Sequence, residues 1–188
     1  MTKSLIILEG SPRKKGNTCT LAAQAAKAAT DAGAVVETFH LHTMKISPCN
    51  GCDGCKRNGE YCTTQDDMQL IYPKIHQADA LLLASPIYWF NYTAQLKSCM
   101  DRLYGLWNMD HDFFRGKAVG VILAYGDVDL YISGGINAIY TLETSFRFMH
   151  ARVAGWVYGS LSDVGDAQKN PELMSAAAEL GKKLAIIR

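Results

Sequence analysis

Four cysteines stand close together in the first half of the chain, Cys49, Cys52, Cys55 and Cys62, in the pattern C-x-x-C-x-x-C-x6-C. Three thiols at three-residue intervals can turn inward from one compact loop, and the fourth can close the site. Gly51, Gly54 and Gly59 supply the sharp turns. Structural zinc and iron–sulfur clusters both accept four thiolates. Zinc sites more often present two C-x-x-C pairs separated by a longer stretch, and the run here is nearer to ferredoxin-type spacing. Free or redox-active thiols are the third alternative. The other two cysteines, Cys19 and Cys99, fall within predicted helices and read as ordinary buried residues.

A second feature lies near the N-terminus. Gly10-Ser-Pro-Arg-Lys-Lys-Gly-Asn-Thr18 joins an apolar run to a predicted helix. A helix N-terminus presents unpaired N–H groups and the positive end of the dipole, so it attracts an anion. Ser11, Asn17 and Thr18 add hydroxyl and amide donors, and Arg13 adds a permanent charge able to form paired hydrogen bonds to a phosphate. Gly10 and Gly16 let the backbone approach a ligand closely. The loop lacks G-x-G-x-x-G. It also departs from the Walker A pattern, with five residues between its glycines and Asn17 where lysine belongs. ATP or GTP hydrolysis is therefore not expected.

The third feature is Ser85-Pro-Ile-Tyr-Trp-Phe-Asn-Tyr92. Consecutive aromatics there can support a planar heterocycle or simply cover the core or a subunit contact, and backbone groups around Pro86, Ile87 and Tyr88 can hydrogen-bond the rim of such a ring. Asp127 and Asp129 read equally as solvated loop carboxylates or ligand contacts. The five histidines form no local metal pattern and read as surface or satisfied core residues.

These features need a frame that presents loops side by side, and the hydrophobic pattern predicts one. Short apolar runs at Ser4–Leu8, Val35–Leu41, Ala80–Ala84, Ala118–Ala124 and Val153–Tyr158 read as strands, with Ser85-Pro86 ending the third. Helices are expected over Thr18–Asp31, from Asp66 or Asp67 with a kink or restart at Pro73, and over Thr93–Leu106 and Gly135–Met149. Asn170-Pro171 opens a last one. Five strands alternating with five helices predict one α/β domain over residues 1–188, a doubly wound parallel sheet with helices on both faces and the cysteine-rich residues 47–64 inserted. Ligands of such sheets bind outside the carboxyl ends of the strands, where the second and third features both fall, together with the loop Tyr125–Gly135.

Composition narrows the classes. A net charge of +1 with no block of like sign argues against nucleic acid or anionic membrane as a partner. No stretch approaches the ~20 apolar residues of a membrane helix. Glu9 and Gly10 end the first apolar run far short of an export signal, so a cytoplasmic location is expected.

G-S-P-R-x-x-G-N-T after the first strand, S-P-I-Y-W after the third and L-K-x-x-x-D-R at Leu96, Lys97, Asp101 and Arg102 together resemble the NAD(P)H-dependent FMN reductases over Ser4–Tyr158. The resemblance implies a flavodoxin-like fold and an enzyme that passes electrons from NAD(P)H through FMN, with hydride delivered to flavin N5. The acceptor would be a quinone, oxygen, free flavin or a protein, and no side chain need act as acid or base. It implies that Ser11, Arg13, Gly16, Asn17 and Thr18 hold the FMN phosphate. Pro86, Ile87, Tyr88 and Trp89 would line the isoalloxazine, and Tyr125, Gly126 and Asp127 would complete the pocket. Lys97, Asp101 and Arg102 would anchor their helix. The cysteine spacing also resembles that of the iron–sulfur flavoproteins, which implies a [4Fe–4S] cluster on Cys49, Cys52, Cys55 and Cys62. A homodimer or homotetramer is implied, with the Tyr88–Tyr92 loop and Trp107 at subunit contacts. The rivals are a non-catalytic flavodoxin-like electron carrier and a binding module whose cysteine loop is held by zinc.

Overall fold

Strands form where the sequence has unbroken apolar runs, because a parallel strand covered on both faces has no polar side to show. In a computed structural model, which describes residues 2–186, these are β1 (Ser4–Glu9), β2 (Val35–His40), β3 (Ala80–Tyr88), β4 (Asn91–Tyr92), β5 (Ala118–Tyr125) and β6 (Arg152–Ser160). The helices are α1 (Asn17–Asp31), α2 (Gly54–Asn58), α3 (Met68–Gln77), α4 (Ala94–Arg102), α5 (Tyr104–Met109), α6 (Gly135–Phe148) and α7 (Pro171–Ile186). Five strands run parallel in the order β2-β1-β3-β5-β6, the flavodoxin-like arrangement.

Alternate residues of β1 serve the two faces. Leu5 and Ile7 join Leu21, Ala25, Leu180 and Leu184 beneath α1 and α7. Ile6 and Leu8 join Met68, Ile71, Leu96 and Leu142 beneath α3, α4 and α6. The interior strand β5 is buried along its whole length, while the edge strand β2 is half exposed.

Four expectations are corrected. Strand β3 does not stop at Ser85-Pro86: those residues pair with Leu123 and Ala124 of β5, and Ile87 and Tyr88 then pair antiparallel with β4. A proline is tolerated because β1 leaves β3 at Ala84, so only one parallel neighbour remains. The expected helix over Thr93–Leu106 is two helices. The Tyr72 hydroxyl donates to the Arg102 carbonyl, and the Leu106 N–H turns instead to Leu103, so the helical ladder is interrupted there. The cysteine-rich segment contains the short helix α2, which the pattern did not indicate. Helix α3 runs through Pro73 without a restart.

Candidate functional site

Loops from four strand ends meet at one cleft of about 200 Å³, lined by Ser11, Arg13, Gly16, Asn17, Thr18, Pro86, Ile87, Tyr88, Ala124, Tyr125, Gly126, Leu161, Ser162 and Val164. Ten of the residues singled out from the sequence are thus brought to one place. The cleft is smaller than the ~300–1,000 Å³ of an enclosing ligand pocket. It suits a ligand with one end gripped and the rest lying in the open.

The gripping end is the start of α1. Gly16 takes the cap position with no side-chain cap, which leaves the first N–H groups of the helix free for an anion. The Ser11 hydroxyl closes the turn before it, accepting from Arg13 N at 3.1 Å and donating to Arg13 O at 3.2 Å. That bond orients the loop, while the exposed Arg13 guanidinium makes no ion pair among the described residues. Asn17 does something the sequence did not indicate. Its Nδ2 donates to Leu161 O and Asp163 O, and its Oδ1 accepts from Gly165 N and Ala167 N. Both amide hydrogens are spent, so only the backbone N–H of Asn17 is left for a ligand.

At the other end Tyr125 and Gly126 face Pro86–Tyr88 across the cleft. Burial pushes the Tyr125 hydroxyl above its ordinary pKa, and the neighbouring Tyr158 and Asp129 add to the effect. Trp89 and Asp127 are not in the lining. Tyr88 and Asn91 pair across a two-residue hairpin whose centre is Trp89 (φ 46°) and Phe90 (φ 68°). Positive φ at both central residues is the requirement of a type I′ turn, which normally takes Asn-Gly. Here Trp89 points outward, 92% exposed. Phe90 is held by Asn137 Nδ2, which donates to its carbonyl, and by Gly134, where a Cβ would lie 2.5 Å from that of Phe90. Asp127 presents its carbonyl to the Ser160 hydroxyl at 2.6 Å.

Leu161, Ser162 and Val164 were missed by the sequence reading. The Leu161 N–H donates to Tyr125 O at 2.7 Å and the Ser162 hydroxyl to Gly126 O at 2.9 Å. They follow the carboxyl end of the last parallel strand, and that position is the signal that could have found them.

The cysteine-rich segment lies between β2 and α3. Cys49 and Cys52 are exposed, and Cys55 and Cys62 half-buried. Burial first, then the nearby Cys62 and to a lesser extent Cys49, raise the Cys55 thiol above its ordinary value. Burial would also raise Cys62, but hydrogen bonds from Thr64 and the Arg102 guanidinium outweigh it and bring that thiol below its ordinary value. Arg102 Nε stands 3.1 Å from Cys62 Sγ. Its other nitrogens meet the Asp66 carboxylate at 2.8 and 3.2 Å and the carbonyls of Ser47 and Thr64. Gly105 lets α5 pass close by: a Cβ there would lie 3.0 Å from Cys62 N. Lys97 and Asp101 pair with each other on the outer face of α4.

Among the described residues, the one group of three whose ligand atoms all lie within 4.8 Å of one another is Glu9, Cys19 and His40, not the loop cysteines. The Glu9 carboxylate meets His40 Nδ1 at 3.1 Å, and His40 Nε2 is enclosed without a partner, so this histidine is not fully satisfied as the sequence suggested. Burial, then Glu9, pushes the Cys19 thiol up to about 12.

The family model described as NADPH-dependent FMN reductase matches residues 3–164. An iron-sulfur flavoprotein of Archaeoglobus fulgidus is 34% identical over 180 residues, 94% of this chain and 76% of that protein. One from Methanosarcina thermophila is 32% identical over 183 residues, 94% of this chain and 91% of that one. In fold, the chain resembles the NAD(P)H:quinone oxidoreductase of Methanothermobacter marburgensis with a TM-score of 0.75 at 17% identity, covering 98% of this chain and 100% of that one.

Proposed function

The chain belongs to the NADPH-dependent FMN reductase family, and on that premise we propose that it binds FMN in the cleft and passes electrons from NAD(P)H to an iron–sulfur cluster on Cys49, Cys52, Cys55 and Cys62. The membership makes it an oxidoreductase of the FMN-dependent, NAD(P)H-using kind. The observation that carries the binding mode is the uncapped start of α1 beside Arg13, facing Pro86–Tyr88 across one cleft.

The chain's own part is to bind and orient. The N–H groups at the start of α1 and the Arg13 guanidinium take the phosphate. Backbone groups of Pro86–Tyr88 and Tyr125–Gly126 border the ring. Leu161, Ser162 and Val164 border one side. Bound FMN supplies the exchange between two-electron nicotinamide chemistry and one-electron acceptors. No side chain in the cleft is asked to move a proton.

The four thiols suit a cluster better than a single zinc ion. No three of them converge within 4.8 Å, which is close to what one small ion needs, whereas a cluster spreads its ligands more widely. The two relatives carry that name. A quinone, a flavin or a protein is the terminal acceptor in this reading. The exposed Trp89, Phe90, Tyr131 and Tyr140 around the hairpin are the surface on which a homodimer or homotetramer forms. The location proposed is the cytoplasm. No helix among the described residues is long and apolar enough to cross a membrane.

The test is the visible spectrum of protein purified without oxygen, with iron and sulfide analysis, before and after NADPH. Two flavin bands over a broad brown shoulder, bleached by NADPH, are expected. Flavin bands alone, without iron, would leave the reductase and remove the cluster. A colourless protein that cannot be reconstituted with FMN would overturn the whole reading.

A further inference from the structure

We infer that Arg102 is the residue that positions the cysteine segment for its cofactor, and that its N–H bond to Cys62 sets the redox potential of what that sulfur ligates. The inference rests on the iron–sulfur reading above.

Arg102 is 1% exposed, the largest fully buried side chain among the described residues. A guanidinium is not buried without reason, since an unpaired charge in the interior is costly. Here all of its N–H directions end on acceptors. Nη1 donates to Ser47 O at 2.9 Å and Asp66 Oδ2 at 2.8 Å. Nη2 donates to Asp66 Oδ1 at 3.2 Å and Thr64 O at 3.4 Å, which leaves Nε for the Cys62 sulfur at 3.1 Å. Ser47 and Thr64 are the entry and exit of the segment that carries the four cysteines. One side chain on α4 therefore holds both ends and one sulfur.

Asp66 makes the arrangement directional. Its two oxygens fix the plane of the guanidinium, and Oδ2 also accepts from Ser47 N at 2.9 Å. Gln69 Nε2 donates to Cys62 O at 2.6 Å and Thr64 O at 2.8 Å, so the backbone on either side of Thr63 is pinned as well. Cys62 is thus the fixed corner of the set, while Cys49 and Cys52 stand exposed. A lysine could bring the charge but not the planar fork that meets five acceptors at once.

Hydrogen bonds to ligand sulfur are among the factors that set the potential of an iron–sulfur cluster. An N–H donor withdraws electron density from the sulfur and favours the form with one more electron. Removing the donor therefore lowers the potential.

The experiment compares wild type with Arg102→Lys and Arg102→Gln, all purified and handled without oxygen. Bound FMN and far-UV circular dichroism report whether each variant is folded, because the flavin cleft contains neither Arg102 nor the segment. Iron and sulfide are counted, and the cluster is titrated with dithionite against mediator dyes. Folded variants are expected to lose iron or, where they keep it, to show about tenfold less reduced cluster at a fixed poise, which is about 59 mV for one electron. Full iron with an unshifted titration in either variant would overturn the inference. A second measurement needs no variant: wild type grown with 15N-arginine, reduced, and examined by pulsed electron paramagnetic resonance. Coupling of the cluster to an arginine nitrogen is expected, and its absence would equally overturn the inference. Wild type without iron and sulfide is a different result. It removes the cluster reading first and the inference with it, whereas a loaded wild type with unshifted variants leaves that reading intact.

Discussion

Asn17 Nδ2 donates to Asp163 O at 2.8 Å across 146 positions of sequence, so the first loop of the protein and the loop after its last parallel strand are one piece. The same amide receives Gly165 N and Ala167 N on its oxygen, both at 3.2 Å. Asn17→Ala is expected to destabilise the flavin-free protein by about 1–3 kcal/mol, the scale of leaving such donors and acceptors unmatched. It should weaken FMN binding too, because Leu161 and Val164 would no longer be held against the cleft. Urea denaturation and a flavin-fluorescence titration check the two effects. Asn17→Asp, which turns a carboxylate oxygen against the carbonyls of Leu161 and Asp163, should be at least as damaging as Asn17→Ala.

Arg13 separates binding from stability. Its guanidinium is exposed and has no protein partner among the described residues. Arg13→Ala should leave the urea midpoint of the flavin-free protein where it is. FMN affinity should fall by about 1.5–3 kcal/mol, the scale of a charged hydrogen bond. Riboflavin, which lacks the phosphate, should bind wild type and variant alike. An unchanged FMN titration would remove the phosphate role.

The hairpin centre is strained and its first side chain touches little. Trp89 sits at φ 46° and is 92% exposed. Trp89→Gly should raise the stability of the folded monomer by about 1 kcal/mol, since glycine meets no steric penalty at positive φ. The same change should weaken self-association if that face joins two copies. Denaturation midpoints at low concentration and sedimentation at high concentration read the two effects separately.

Acid should open the cysteine segment before it unfolds the sheet. Burial works against ionising Asp66, but Arg102 and the N–H groups of Ser47 and Met68 prevail and hold its carboxyl below the usual carboxylate range. A carboxyl depressed in the folded state contributes stability that is fully present above its unfolded pKa of about 3.9, and that is lost as pH falls through the lower folded value. Proteolysis within residues 47–64 is therefore expected to accelerate below about pH 4. Asp66→Asn should make that segment susceptible already at neutral pH. A segment equally resistant in the variant would show that the ion pair does not hold it.

The frame was legible in the sequence because buried parallel strands leave no ambiguity in their side chains: Leu5–Leu8 and Leu81–Leu83 have nothing polar to expose. The grouping of Ser11, Arg13 and Thr18 with Ile87, Tyr88 and Tyr125 followed from one rule, that loops at carboxyl ends of neighbouring strands share a cleft. What escaped depended on partners far along the chain. Three adjacent aromatics look the same in sequence whether a type I′ turn sends Trp89 outward or a wider loop turns it in. The break after Arg102 is imposed by a hydroxyl on Tyr72, thirty positions earlier. Asn17 was legible as a polar residue of the loop but not as the clasp of another one. Arg102 read as a helix anchor, because its burial exists only once residues 47–64 have folded over it.

The segment that carries the cysteines begins and ends at the same spot. Asp67 N donates to Lys45 O at 3.0 Å and Lys45 N to the Asp67 carboxylate at 2.7 Å, so the chain leaves the domain and returns across a gap one hydrogen bond wide. The sheet pairs and the cleft is lined without any residue of 47–64. A chain of another length or chemistry spliced between the same two residues would still have to replace the packing of Tyr61 and Cys62 on the core and the acceptors that Ser47, Cys62 and Thr64 offer the buried Arg102. The cysteines are in this sense a cassette with a plug, exchangeable only together with the socket that receives it.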